Sequence, residues 1–270
     1  MSESVRAVER ALDILLCFSR QTPELSMTQI AEKVGIHKST VHRLLATLEN
    51  KRFVQRDPDT GTYRLGIHLL QMAYLTLEHN DLSHLATPFL RILSEQYKEN
   101  IHLAVMDDID VVYVNIIESP QRVKLAAALG QRLPAFATAS GKAMLAFMPD
   151  ETVRRILKRG MPQYTQYTPL SPETIFEDLH HVREQGYALS EQEYEEEINA
   201  VAAPIFGAEG QPIASVAIAG PSYRLTREHM IDIAPHVCTT ARDITQEMAM
   251  AAISQVNTNV ASSIAKEIGK

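Results

Sequence analysis

The apolar positions of this chain change period as the chain is followed. Between Leu25 and Arg52 they keep a helical spacing interrupted by one glycine. Ile30, Ala31 and Val34 form a short stripe, Gly35 breaks it, and Val41, Leu44, Leu45 and Leu48 resume it at i, i+3, i+4 and i+7. Ser26 stands where a hydroxyl caps a first helix over 27–34, and Gly35 supplies the positive φ of a tight turn. Upstream, Val5, Val8, Leu12, Leu15 and Leu16 share one face of a helix over 5–19, expected to support the pair, and Gln21-Thr22-Pro23-Glu24 ends it. Downstream the period falls to two. Phe53–Arg56 and Thr62–Leu65 read as strands around the turn residues Asp57-Pro58-Asp59-Thr60-Gly61. Three helices and a β-wing over residues 1–66 predict a winged helix-turn-helix.

Residues 67–80 return to a helical pattern that is apolar almost all round, which suits a linker helix with more than one partner, a second copy of the chain included. Asp81 or Ser83 is placed to cap the next helix, whose inner face is read as Leu85, Phe89, Ile92, Leu93 and Tyr97. Period-two strands follow at 101–106 and 111–118, with a third expected over Lys124–Leu129, closed by Gly130. A helix is expected from near Ser140, others over 150–159 and 172–185, and strands over 187–194, 200–206 and 212–219. Gly220-Pro221 is read as breaking the sheet, and Thr226 as capping a last helix to about residue 252. The tail 253–270 is polar and reads as frayed. Sheet and helices over 81–252 make a second domain, so the fold class is α+β.

Composition changes this picture at one point. The chain of 270 residues carries a net charge of −7, which argues against a nucleic-acid partner until the charge is divided. Residues 1–66 hold 10 Lys+Arg against 8 Asp+Glu, a net of +2, and the remainder carries −9. A mildly basic head on an acidic body suits local DNA contacts whose affinity falls with salt. Cys17 and Cys238 lie among apolar residues and read as buried free thiols. No stretch is apolar and long enough to cross a membrane, and the start lacks a signal-peptide core, so a cytoplasmic protein with no membrane partner is expected.

The polar face of the second stripe carries His37, Lys38, Ser39, Thr40, His42, Arg43 and Thr47, short-chained at its start and cationic. Such a face can enter a major groove. Ser26 lies at the entry to the pair, and Arg56 and Arg64 flank the wing turn where a phosphate or minor groove would pass. In the second domain, the run from Leu133 to Phe147 offers small residues and the free N–H groups of a helix start, a seat for a carboxylate. Its Ser140-Gly141-Lys142 is no phosphate loop, because Phe136 stands where a glycine is needed and Ala143 where a hydroxyl holds magnesium. The acidic cluster Glu191, Glu193, Glu195, Glu196 and Glu197 reads as a solvated strand edge, with a metal or amine site as the sharper alternative. His102, in a strand, reads as packed or hydrogen-bonded. There is no HExxH, no GxSxG and no metal-ligand spacing, so no catalytic residue, metal or cofactor is assigned. An enzyme using His102 or Ser140 is the remote alternative.

The winged head ending in Tyr63-Arg64-Leu65-Gly66, the run LPAFATASGKAMLA, the run REQGYALSEQEYEEEINAVAAPIF and the strand SVAIAGP together resemble the IclR family of bacterial transcriptional regulators, over roughly residues 5–250. The resemblance implies a GAF-like effector-binding domain, a dimer or dimer of dimers, a palindromic operator and a small organic acid as effector. It also implies a pocket against the ASGKA helix start, the strand after GYA, and the AAP and SVAIAGP strands. Ala139 and Ser140 match its close-approach positions, and Leu125 an apolar wall residue, with Leu129 beside it. Ser190 matches a position that is often Asp, Ala200 a frequent Cys, and Ala217 and Ala219 positions that are often Ser. Methyl groups thus replace several polar ones, and an unpaired polar ligand atom costs about 1–3 kcal/mol. The expected effector is therefore a carboxylate with an apolar or aromatic body, and a regulator without any effector is the other reading.

Overall fold

The computed structural model describes residues 5–19, 22–78 and 81–268, which divide into two compact units, Met1–Asn80 and Asp81–Lys270. The first unit holds α1 (Arg6–Leu16), β1 (Glu24–Leu25), α2 (Met27–Val34), α3 (Lys38–Asn50), β2 (Val54–Arg56), β3 (Tyr63–Leu65) and α4 (Ile67–Glu78). Ser26 closes a capping box: its hydroxyl accepts from the Gln29 N–H, and the Gln29 side chain accepts from the Ser26 N–H at 2.9 Å. Gly35 ends α2 at φ 69°, where a side chain would be strained. Val41 and Leu45 of α3 then meet Ile30 and Ala31 of α2 in a core with Leu25, Val54 and Tyr63. Each large apolar side chain fully buried there contributes about 1.5–3 kcal/mol. The strands run in the order β1-β3-β2, all antiparallel. The strand β1 went unread in the sequence because two residues carry no period.

Of the expected face of α1 only Leu15 packs on the core. Ile14 is the fully buried residue of that helix, while Val5, Val8, Leu12 and Leu16 are exposed, Leu16 at 80%. The domain core takes the narrower apolar stripe and leaves the wider one outside. Ile67, Leu70 and Met72 of α4 are exposed too.

The second unit is built on a six-stranded antiparallel sheet of order β6-β5-β4-β9-β8-β7. Its strands are β4 (Asn100–Asp107), β5 (Asp110–Ile117), β6 (Arg132–Pro134), β7 (Ala188–Glu191), β8 (Ile198–Phe206) and β9 (Pro212–Pro221). The central strands are largely apolar on both faces, as suits strands covered on both sides, with Asn100, His102 and Ser215 as buried polar exceptions. One face packs on α5 (Asp81–Tyr97) and α9 (Arg227–Ile268) through Leu90, Leu93, Val216, Ile218, Met230 and Val237. The other face lies under a 3-10 turn (Ala135–Ala137), α6 (Ala139–Leu145), α7 (Asp150–Leu157) and α8 (Pro172–Gln185). Gly141 admits α6 to this face, since a Cβ there would collide with the backbone of Ala135.

Several expectations need correcting in this unit. Lys124–Leu129 is not a strand: the third strand is β6, and 124–128 is irregular chain. The helix α5 begins at Asp81, so Ser83 lies inside it rather than capping it. Ile92 is exposed, and Leu82, Ala86 and Leu90 take the buried face with Leu93. Gly220-Pro221 does not break the sheet; both pair with β8. The last helix continues to Ile268, through the tail that composition marks as frayed. Cys17 and Cys238 are free, as expected, but half-buried.

Candidate functional site: DNA interface and ligand cavity

The sequence dictates where α3 points its polar residues. Burying Val41 and Leu45 turns Lys38, Ser39, His42, Arg43 and Thr47 outward, and Thr40 is half-buried at the margin. Lys38 and His42, and Ser39, Arg43 and Thr47, form two i, i+4 columns on that face. His37 serves as the N-cap: its Nδ1 accepts from the Ser39 N–H at 3.3 Å and pairs with Ser39 Oγ at 2.8 Å. Thr47 returns its hydroxyl to the Arg43 carbonyl at 3.0 Å. Lys38, His42 and Arg43 have no hydrogen-bond or ion-pair partner for their side chains among the described residues. Ser26 is tied into the α2 cap, so its side chain acts on structure first. In the wing, the Asp57 carboxylate accepts from the N–H groups of Asp59 and Thr60 at 2.9 Å each, which pulls its pKa down. Arg56 pairs across the ladder with Tyr63, and its guanidinium lies 5.9 Å from that ring. Arg64 pairs with Gln55 and donates to its Oε1 at 3.3 Å. The alternation of a strand therefore sends the two arginines to opposite faces of the hairpin.

The ligand cavity opens between the sheet and α6, with a volume of about 50 Å³. Room for one water needs roughly 10–15 Å³, so the cavity holds the volume of a few waters. The register of the strands sets its floor. Ala188, Ala202, Ala217 and His102 pair in one row, and Ser190, Ala200, Ala219 and Asn100 in the next; of these, Ala217, His102, Ser190, Ala200 and Ala219 line the cavity. The middle of each row is alanine. Ser190 and His102 stand three strands apart, about 14 Å between backbones at the usual strand spacing. Leu125, Ala126 and Ala127 close the cavity from above. Asn100 holds that loop: its Nδ2 donates to the Leu125 carbonyl at 2.9 Å, and its Oδ1 accepts from the Ser119 N–H at 2.8 Å. Gly130 donates to the Tyr113 carbonyl at 2.8 Å, which ties the far end of the loop to β5.

Of the eight residues expected here, Leu125, Ala139, Ser140, Ser190, Ala200, Ala217 and Ala219 line the cavity. Leu129 does not; it is 54% exposed, because the loop that replaces the expected strand carries it outward. Thr138 caps α6, its Oγ1 accepting from Gly141 at 3.2 Å, which leaves the Ala139 and Ser140 N–H groups without an intrahelical acceptor. Seven residues make α6 short, so these individual N–H groups matter more than a macrodipole.

The sequence did not mark Tyr113, Gln131, Tyr194 and Glu195 as cavity residues, though all four line the wall; His102, expected to be packed or hydrogen-bonded, is packed. That histidine is 1% exposed, and neither ring nitrogen has a hydrogen-bond partner among the described residues. Its ring lies 4.3 Å from that of Tyr113. Burial holds its pKa down at about 4, so the imidazole is neutral at pH 7. Burial also raises the Tyr113 phenol, with Tyr194 and Glu195 adding to it. The available signal was the pairing of Asn100 and His102 at i, i+2, two polar residues on one face of an otherwise apolar strand.

Lys142 is fully buried and donates to Asp178 Oδ2 and Glu193 Oε1, each at 2.6 Å. Burial opposes its charge, but the two carboxylates outweigh burial and raise its pKa. The lysine of the Ser-Gly-Lys run is thus an internal ion-pair partner. The acidic cluster is correspondingly not all solvated: Glu193 turns inward to Lys142, and Glu191 pairs with Arg227. Thr165 and Thr168 donate to the carbonyls of Gln192 and Glu193, at 2.6 Å each. Among the described residues no group of three or more His, Cys, Asp or Glu is placed to hold a metal ion.

Two family models match this chain. The model of the bacterial transcriptional regulator IclR C-terminal domain covers residues 74–246, and that of the IclR helix-turn-helix domain covers 7–58. The chain belongs to the IclR family. Its relatives include the HTH-type transcriptional regulator KdgR of Escherichia coli, 31% identical over 247 residues, which are 91% of this chain and 94% of KdgR. An IclR transcriptional regulator from Alicyclobacillus acidocaldarius has a similar crystal structure, with TM-score 0.81 and 28% identity over 91% of this chain and all of that one. An IclR homologue from Microbacterium hydrocarbonoxydans, complexed with 4-hydroxybenzoate, shares the fold at TM-score 0.78 and 23% identity, over 90% of this chain and 99% of that one. Membership makes this chain a DNA-binding transcriptional regulator, with a helix-turn-helix head and an α+β effector domain of the IclR kind. Among the described residues no helix is long and apolar enough to cross a membrane.

Proposed function

We propose that this IclR-family regulator binds a palindromic operator as a dimer, or a dimer of dimers, and that a small organic acid with an apolar or aromatic body controls that binding. The observation that carries the ligand reading is the alanine floor of the cavity, Ala200, Ala217 and Ala219, with Ser190 and His102 beside it. Such a floor suits a carbon skeleton and penalises a ligand polar at every atom. On the DNA side, Lys38, Ser39, His42, Arg43 and Thr47 read the major groove, with His37 and Thr40 at its edge. Arg56 and Arg64 hold the wing on the backbone, and Ser26 orients the entry of α2. The exposed apolar side chains Val5, Val8, Leu12 and Leu16 of α1, with Ile67 and Leu70 of α4, supply the pairing surface, which a second copy would cover.

In this reading residues 1–66 are the head, 67–80 the connection, and 81–252 the effector domain. The ligand acts by differential affinity for two arrangements of the dimer, a coupling that holds in both directions. The neighbour complexed with 4-hydroxybenzoate supplies the first compound to try. The test is operator affinity, measured by gel shift with and without a panel of small carboxylic acids. A shift of severalfold or more with an acid of apolar or aromatic body supports the reading. A response confined to very small polar acids overturns the ligand class, and no response to any acid leaves a regulator without a small-molecule effector.

A further inference from the structure

Among the described residues that line the cavity, His102 alone has buried side-chain nitrogens with no hydrogen-bond partner. The adjoining strands place Ile116 on one side and Ala217 on the other, and the ring of Tyr113 lies against it. Burial is the sole influence resolved on its protonation; no charged neighbour steadies an imidazolium. A neutral imidazole always presents one donor and one acceptor nitrogen, whichever tautomer is adopted. The acceptor can be satisfied only by an N–H or O–H. An ionised carboxylate has neither, so a plain acid leaves one nitrogen without a hydrogen from the ligand, while a hydroxyl-bearing ligand supplies it.

We propose that His102 selects the ligand by accepting a hydrogen bond from a ligand hydroxyl, so that the cavity takes small hydroxy-substituted organic acids in preference to plain acids of the same skeleton. This rests on the organic-acid reading above and narrows it. The alanine rows carry the skeleton between the two ends of the floor, with the hydroxyl at the His102 end. His102 is then a specificity residue of the effector site, and Tyr113 fixes the plane of its ring.

The experiment uses the full chain and matched pairs of compounds at neutral pH: 4-hydroxybenzoate against benzoate, 4-hydroxyphenylacetate against phenylacetate, and lactate against propionate. Binding is read by calorimetry. In the wild type, the hydroxylated member of at least one pair binds about tenfold tighter or more, as one hydrogen bond between buried groups requires. In His102→Leu that ratio collapses to about one. In His102→Gln, which keeps an acceptor, a preference for the hydroxylated member returns. Circular dichroism of the ligand-free variants shows that they are folded, and His102→Gln carries the test if His102→Leu is not. Equal binding of both members of every pair by the wild type overturns the proposal and leaves the organic-acid reading standing. So does a ratio that survives in His102→Leu. Failure of the wild type to bind any of the six compounds overturns the organic-acid reading and this proposal with it.

Discussion

Replacing His102 by Leu should change how stability responds to acid. The wild-type imidazole is buried and neutral, with its pKa at about 4. In the unfolded chain the same group titrates near 6.5. Between these values the unfolded state binds the extra proton and the folded state does not, so folding is fully supported above pH 6.5 and loses support as pH falls towards 4. The interval of about 2.5 units, at 1.36 kcal/mol each, is about 3 kcal/mol, lost from His102 alone. The variant has no such group, so the stability difference between the two proteins should widen by about that amount between pH 7.5 and pH 4. At pH 7.5 the balance is closer. Losing two unpartnered ring nitrogens gains stability at about 1–3 kcal/mol each, and losing the Tyr113 contact gives back about 0.5–1.5 kcal/mol, so the variant should be at least as stable as the wild type. Urea unfolding by far-ultraviolet circular dichroism reads this directly, which suits a chain with no tryptophan. Every other titrating group, the Lys142 cluster included, is common to both proteins and cancels in the difference. Parallel pH profiles for the two proteins would refute the assignment of His102 as a buried neutral group without partners.

Three other outcomes follow from the geometry. Arg43→Ala should weaken specific DNA binding and relax base preference at one position by about 1–3 kcal/mol, whereas Arg64→Ala in the wing should lower affinity for all sequences and reduce the salt slope by about one; gel shifts over a salt series separate the two. Lys142→Met leaves Asp178 and Glu193 without their cation and should cost about 3–5 kcal/mol in denaturant unfolding, with much of the loss recovered when Glu193→Leu is added; equal stability of wild type and single variant contradicts the buried ion pair. Gly141→Ala forces α6 away from the Ala135 backbone, so it should destabilise by about 1–3 kcal/mol and lower effector affinity, which melting and calorimetry on one sample would show together.

Much of the head was legible because its signals are local. Ser26, Gly35 and the Val41–Leu48 stripe each act within a few residues, and the structure uses them as read. The side of α1 that meets the core was not legible. Val5, Val8, Leu12 and Leu16 make the wider stripe, and periodicity cannot tell a core from a surface meant for another molecule. The same limit applied at Ile92. In the effector domain the helix start at Ser140 was reached from its small residues and free N–H groups, whereas Ser190, Ala200, Ala217 and Ala219 were named individually through family resemblance. The loop over 124–128 was read as a strand because its apolar residues mimic one; its conformation depends on Asn100 and Gly130, which bind it from outside the segment. Lys142 and Glu193 lie 51 positions apart, so their pairing was invisible to any window along the chain. His102 was visible as a residue but not as an orphan, because lack of partners is a property of the fold.

The central claim is that this chain recognises a DNA sequence and that an organic acid alters the recognition. The most direct measurement is a footprint of the purified protein on DNA upstream of its own gene and the neighbouring genes, at ~0.1 M salt because salt governs such affinities, with and without 4-hydroxybenzoate and its companion acids. The account predicts protection of a short, roughly palindromic site, strengthened or weakened by at least one of the acids. Binding that is salt-sensitive but shows no preferred site on those regions or across the genome, whether or not an acid is present, would contradict it.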